Sequence, residues 1–492
     1  MELKIKALKW SAGIPVAMLN EETANLIGVK TKGRILIKTL SKNPREVSTI
    51  IDITRNLVDK KEIGVSSELV ERLSLYSGQK VDVDLSPSPK SLTFIKKKMN
   101  KEQLSQSEID SIIKDVVNNS LSEAEIALFV SAMYEVGMNM KETIFLIQAI
   151  LDSGRKLVLK DKFVVDKHSI GGIPGNRTTP IIVAICAAYG LTFPKSSSRA
   201  ITTPAGTADV VETVASVGFS IKELEKIVKK VGACLIWGGS LEIVPADEKI
   251  IQIEKLLNID PESQLLASIM SKKLALGAKY ILIDIPYGKT AKVKKEKALR
   301  LKKKFEYIGK HFHKVLKVVL TKGDEPIGNG IGPAMEMRDI VKVLVRAEER
   351  PLDLEAKSLF LAGEIFEMTG KAKKGKGVEL ARQILDSGKA FVKFKQIIKA
   401  QKGNLNRLKY GKFKKDIFMK KSGTIKDIDN KKITLLARTA GCPMDKFAGL
   451  YLYKHIGDRL EKGEKLLTIY AESKSRLREA ISFYNSQKPI KL

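Results

Sequence analysis

The sequence predicts a multidomain α/β protein with a small β-rich N-terminal domain, a helical domain, an α/β sheet domain and an α+β C-terminal domain. Three observations carry that prediction. A chain of 492 residues is too long for one hydrophobic core, so roughly two to four domains are expected. The period of its apolar residues changes along the chain, from strand-like alternation to helical faces and then to short apolar runs between helices. Finally, residues 166 to 207 hold two glycine- and hydroxyl-rich loops. Each follows a short apolar run and precedes a helical pattern, a junction where backbone N–H groups and a helix dipole suit an anion. Two such loops point to an enzyme that holds two phosphates at once.

Residues 1–86 read as the β-rich unit. Leu3-Lys-Ile5-Lys-Ala7 and Val81-Asp-Val83-Asp-Leu85 alternate, and Ile35-Leu36-Ile37 follows a Lys32-Gly33 turn. Ser86-Pro87-Ser88-Pro89 reads as an extended linker. The helical domain is expected over 96–160: Ile109, Ile112, Ile113, Val116 and Val117 share one face. Ser122-x-x-Glu125 and Asn139-x-x-Glu142 look like capping boxes, and Asp152-Ser153-Gly154 closes the third helix. About residues 247–278 the chain turns helical again and is expected to return to this domain. Short apolar strands at Phe163–Val165, Ala233–Trp237, Tyr280–Ile285 and Val315–Leu320 predict the α/β domain over 161–246 and 279–405. The tail, 406–492, is β-rich from about Ser422 and resembles a hammerhead-type barrel in spacing. No modifiable lysine sits at a hairpin tip there, so its role is read as structural.

The composition, 43 % hydrophobic and 29 % charged, is that of a soluble globular protein. No apolar stretch approaches the ~20 residues that span a bilayer, and the start Met-Glu-Leu-Lys-Ile-Lys has no signal-peptide core. Cys186, Cys234 and Cys442 lie far apart with no metal-ligand spacing, which fits a reducing cytoplasm and predicts neither metal nor cofactor. The net charge of +31 is unusual and raises a nucleic-acid-binding alternative. However, the lysine runs are scattered over the chain and lack aromatic interleaving. They are read as solvated helix faces that also draw anionic substrates inward, with no nucleic acid or membrane partner.

The first loop runs from Asp166 through Lys167, His168, Ser169, Gly171, Gly172, Gly175 and Arg177 to Thr178. Its glycines let the backbone approach an oxyanion, Lys167 supplies a point charge, and Ser169 and Thr178 supply hydroxyls. It matches neither the Walker loop nor the dinucleotide fingerprint, and a tight strand-to-helix turn is the alternative. In the second loop Arg199 is suited to a bidentate pair with phosphate, with Ser197, Ser198, Thr202, Thr203 and Thr207 around it; a serine-rich surface turn is the alternative. Asp260, in Asn258-Ile259-Asp260-Pro261-Glu262, reads as a helix N-cap. Ser268 and Lys272 share one helix face, either as site residues or as a solvent-exposed pair. His168 is a ligand contact or a satisfied histidine.

Several motifs together resemble the thymidine phosphorylase family, from about residue 96 to the C-terminus. They are Lys167-His168-Ser169-x-Gly-Gly, the Ser-Ser-Arg with its following Gly-Thr, and the Ala-Ser-x-x-x-Lys-Lys ending at Lys273. Gly328-x-Gly-x-Gly332-x-x-x-Glu336 and Ala381-Arg382-Gln-Ile-Leu-Asp-Ser-Gly388 extend the series. Within the family, the archaeal AMP-phosphorylase branch resembles the whole chain, N-terminal unit included.

The resemblance implies a helical domain and an α/β domain that close over a cleft. It implies the reaction AMP + phosphate = adenine + ribose 1,5-bisphosphate, in nucleotide degradation, by a homo-oligomer built on a dimer. Lys167, Ser169, Thr178, Ser197 and Thr207 match positions that grip inorganic phosphate, and His168, Ser268 and Lys272 match positions near the base. Gly172, Ser198, Arg199, Ala200, Ile201, Thr202, Thr203, Thr207, Ser268 and Lys292 match AMP-binding positions, and Asp260 matches the proton donor. Nucleoside-specific relatives carry a base-binding arginine where this chain has Ile253, and their second loop is richer in glycine. Both departures favour a nucleoside monophosphate over a free pyrimidine nucleoside. A phosphoribosyltransferase of similar architecture is the remaining enzyme alternative.

Overall fold

The structure, a computed structural model, describes residues 1–492 apart from Ala12, Ile14 and Glu242. The chain divides into two units, one of Met1–Gly154 with Val244–Ser271, the other of Arg155–Ile243 with Lys272–Leu492.

The first unit opens with a closed six-stranded barrel of β1 (Glu2–Ala7), β2 (Val16–Asn20), β3 (Arg34–Thr39), β4 (Glu46–Thr54), β5 (Glu62–Val65) and β6 (Lys80–Leu85), in the order β1-β5-β2-β4-β3-β6. Alternation decides which side chains fill it. Leu3, Ile5, Ile35, Ile37, Val81 and Val83 are buried in one cluster with Ala17, Leu19, Ile51, Ile63 and Val65. Leu85, the last member of the alternating run, is exposed instead, because β6 ends there. The parallel pairs β1–β5 and β2–β4 are not what consecutive hairpins would give.

The helices Gln106–Val117, Glu123–Glu135 and Met140–Asp152 follow. Ser122/Glu125 and Asn139/Glu142 form reciprocal capping boxes as their spacing predicts, and Ser105/Glu108 forms a third. Of the expected apolar face, Ile109, Ile112, Ile113 and Val116 are buried and Val117 is half-buried. Helix Pro245–Leu257 belongs to this unit, and helix Glu262–Ala275 begins in it.

The second unit is built on parallel strands: β7 (Val165–Ser169), β8 (Phe193–Ser197), β9 (Ala233–Trp237), β10 (Tyr280–Tyr287) and β11 (Val315–Lys322). They form the sheets β11-β10-β7 and β8-β9, joined at a parallel bridge between Val164 and Thr192. Ile281–Pro286 of β10 are all buried, as expected of a central parallel strand covered on both faces. The helix Thr178–Tyr189, after β7, is buried at every position from Thr178 to Ala187. β8, Phe-Pro-Lys-Ser-Ser, has too little β-propensity to be read as a strand from sequence. In the tail, Phe413–Phe418, Gly449–Leu452 and Lys465–Ala471 form an antiparallel sheet with Gly330–Ile331. Helices Asn430–Thr439 and Lys474–Gln487 pack with it, so the tail is α+β rather than a plain β-barrel.

Candidate functional site

β7 ends at Ser169 and the next helix starts at Thr178, so the first loop spans a strand-to-helix junction. Its backbone turns through positive φ at Gly171 and Gly172 (86° and 89°). A Cβ on Gly172 would come within 2.6 Å of Lys292 Cβ, and one on Gly171 within 3.0 Å of Thr202 Oγ1. The first loop therefore lies directly against the second loop and Lys292, which sequence separates widely. Lys167 is wholly buried, donates to Thr178 Oγ1 at 2.9 Å and lies 3.9 Å from Asp284. Burial lowers its pKa to about 8, with Asp284 pulling the other way. The hydroxyls of Ser169, Ser196 and Ser197 are buried with no hydrogen-bond partner among the described residues. Such orphaned groups cost about 1–3 kcal/mol each; phosphate oxygens would satisfy them.

The second loop leaves β8 at Ser197 and is shaped by carboxylates. Asp209 Oδ2 accepts from the N–H groups of Ala200 and Gly206, both at 2.8 Å. A side chain on Gly206 would run into Ser198's carbonyl, so the turn needs glycine. Arg199 makes its bidentate pair with Glu212, at 2.9 Å for both bonds, adds Asp209 at 3.1 Å, and stacks over Trp237. Glu212's hydrogen bonds raise the Arg199 pKa, and Arg199 in turn lowers that of Glu212 to about 2. The guanidinium expected to fork a phosphate thus forks a carboxylate, and its charge is compensated. What the loop offers is backbone: the N–H groups of Ile201, Thr202 and Thr203 donate to no acceptor among the described residues.

Arg177 joins the two loops. Its Nη1 donates to Thr207 Oγ1 at 2.8 Å, Nη2 to the Ala205 carbonyl at 2.6 Å and Nε to Glu336 at 2.6 Å. Glu336 also accepts from Gly332 N–H at 3.1 Å, tying in the Gly328–Glu336 motif. Below lies buried charge: Asp166 bridges Lys195 at 3.0 Å and Lys273 at 2.8 Å. Asp284 accepts from Thr321 at 2.6 Å and lies 3.4 Å from Lys357. His168 is held well below the usual histidine pKa by burial first and then by Lys273, Lys195, Lys167 and Lys272, so its ring is neutral at physiological pH.

Asp260 and Ser268 belong to the other unit. The helix there starts at Glu262, with the Pro261 carbonyl accepting from Leu265. Asp260 therefore stands one residue before the cap position, exposed. Ser268 Oγ donates to Asp247 at 3.1 Å and Gln264 to the same carboxylate at 2.9 Å. Lys272, one turn on, is buried, so this is not a solvent-exposed pair. Ile253, at the position of the missing arginine, is 4 % exposed and packed away.

Lys195, Asp209 and Asp284 were not singled out by sequence reasoning, and Arg177 and Glu336 entered only as members of the first loop and of the Gly328–Glu336 motif. A signal exists for one of them, since Asp284 interrupts an apolar run.

Residues 92–154 match the glycosyl transferase family helical bundle domain and 161–391 the glycosyl transferase family a/b domain. Residues 424–491 match the pyrimidine nucleoside phosphorylase C-terminal domain. An AMP phosphorylase of Thermococcus kodakarensis is 42% identical over 497 residues, covering 100% of this chain and 98% of that protein. AMP phosphorylase 1 of Archaeoglobus fulgidus is 40% identical over 497 residues, covering 100% and 97%. The solved anthranilate phosphoribosyltransferase of Thermus thermophilus aligns with 63% of this chain and 99% of its own, at a TM-score of 0.52 and 18% identity, a likeness of fold alone. Similar from end to end to relatives of that name, and carrying the helical-bundle, a/b and C-terminal domains in turn, the chain belongs to the AMP phosphorylase family.

Proposed function

We propose that this chain phosphorolyses nucleoside 5′-monophosphates, converting AMP and inorganic phosphate into adenine and ribose 1,5-bisphosphate. The observation that carries the reading is the pair of anion-suited loops in contact at Gly171 and Thr202. One offers a buried lysine and orphaned hydroxyls, the other free backbone N–H groups. A nucleoside phosphorylase needs one phosphate site; a nucleotide phosphorylase needs two.

In this scheme inorganic phosphate rests on Lys167, Ser169, Thr178 and Ser197, and the 5′-phosphate on the Ser198–Thr203 backbone, Gly172, Thr207 and Lys292. Phosphate attacks C1′ as the glycosidic bond opens, and its negative charge stabilises the oxocarbenium-like transition state. Holding both anions in place supplies proximity that free reactants lack. Adenine leaves with a proton delivered to N7 by Asp260, general-acid help worth roughly 10²–10⁴ in rate. Neutral His168, Ser268 and Lys272 are the candidates for the base. The test is phosphate-dependent release of free base from a panel of nucleotides and nucleosides. Turnover of AMP well above adenosine supports the reading. Preference for thymidine or uridine would instead make the chain a pyrimidine nucleoside phosphorylase.

A further inference from the structure

We infer that Arg438, in the C-terminal part of the chain, is a positioning residue for the nucleotide's 5′-phosphate. This inference rests on the assignment of that phosphate to the second loop. Arg438 lies in the last turn of the helix Asn430–Thr439. Its Nη2 donates to the Ile201 carbonyl at 2.7 Å and reaches the Thr203 carbonyl at 3.4 Å. Both acceptors are backbone oxygens of the stretch whose Ile201, Thr202 and Thr203 N–H groups donate to no acceptor among the described residues.

The geometry of the peptide unit gives this contact its meaning. The Ile201–Thr202 bond is trans, since the one cis bond among the described residues is Cys442–Pro443. In a trans peptide the N–H points opposite to the C=O. Drawing the Ile201 carbonyl towards Arg438 therefore turns the Thr202 N–H away from it. The Thr203 carbonyl precedes Pro204, which has no N–H to redirect. Arg438 thus consumes acceptors of the loop, leaves its donors free and adds a positive charge, which together favour an anion over any neutral group.

A second hold comes from the same segment. Lys446 lies 3.2 Å from Glu212, the carboxylate that forks Arg199. Lys446 is itself fixed, its carbonyl accepting from Ala334 N–H at 3.1 Å. Residues 438 and 446 both fall within the stretch that matches the pyrimidine nucleoside phosphorylase C-terminal domain. In this chain that domain is proposed to shape the nucleotide site rather than merely cover the sheet.

The experiment compares Arg438→Ala, Arg438→Gln and Thr202→Ala, with AMP and phosphate varied separately and each variant's Tm measured. Arg438→Ala should raise KM for AMP about tenfold, the effect of one lost hydrogen bond to a charged group, and leave kcat, KM for phosphate and Tm near native. Arg438→Gln, which keeps an N–H donor, should recover part of the affinity. Equal rises in both KM values, or a lowered Tm that accounts for the loss, would make Arg438 a structural prop and overturn the inference. A rise for Thr202→Ala without one for Arg438→Ala overturns the inference and leaves the loop assignment standing. If Thr202→Ala moves KM for phosphate instead, the loop assignment itself fails and takes the inference with it.

Discussion

Asp260 lies one residue ahead of the carbonyl that opens its helix, and a structural role there and an acid role predict different damage from one substitution. Asp260→Asn keeps the side chain's shape and its capacity to accept a hydrogen bond, so a structural role leaves turnover nearly intact. The acid role predicts a turnover loss of about 10²–10⁴ with normal folding and near-native AMP binding; steady-state rates beside a melting curve decide. Lys167 gives a pH prediction. With its pKa lowered to about 8 by burial, the ammonium is charged below that pH and neutral above it. Phosphate affinity should therefore fall as pH rises through about 8. Lys167→Met should bind phosphate more weakly near neutrality and lose that falling limb, which calorimetric titration reads directly. Lys167, Ser169 and Thr178 were legible in sequence because one contiguous motif holds them. Arg199's charge was legible too, but its partners Asp209 and Glu212 lie 10 and 13 residues on, and nothing local announces that they will claim it.

At the scale of elements, Arg177 binds the first loop to the second and to the Gly328–Glu336 motif. Arg177→Met should cost about 3–5 kcal/mol, because it leaves Glu336 buried without its cation. Adding Glu336→Gln should restore much of that stability, and urea unfolding of the single and double variants checks both. Local rules made some elements readable: the capping boxes at Ser122 and Asn139 needed only a four-residue pattern. β8 was not readable, since Pro194, Lys195 and Ser196 oppose strand formation locally. Lys195's ion pair with Asp166, a long-range contact, accompanies its burial there. The short barrel strands β2 and β5 escaped for a related reason, as both take part in parallel pairings that no hairpin turn signals.

At the scale of the whole molecule, the barrel of residues 1–86 carries its own closed core and no glycine-rich anion loop. Its proposed task is assembly, so a chain lacking it should form a smaller oligomer and still release adenine from AMP. Light scattering with a phosphorolysis assay checks this; a folded truncated protein of native mass without activity would sink it. The Arg438–Ile201 bond spans 237 residues, and that distance has a meaning in time. A ribosome adding ~5–20 residues per second takes on the order of tens of seconds to make the intervening chain. Throughout that interval the second loop exists on the emerging polypeptide without the guanidinium that turns its carbonyls aside. Under the proposed role of Arg438, the nucleotide site is among the last features of the nascent protein to mature.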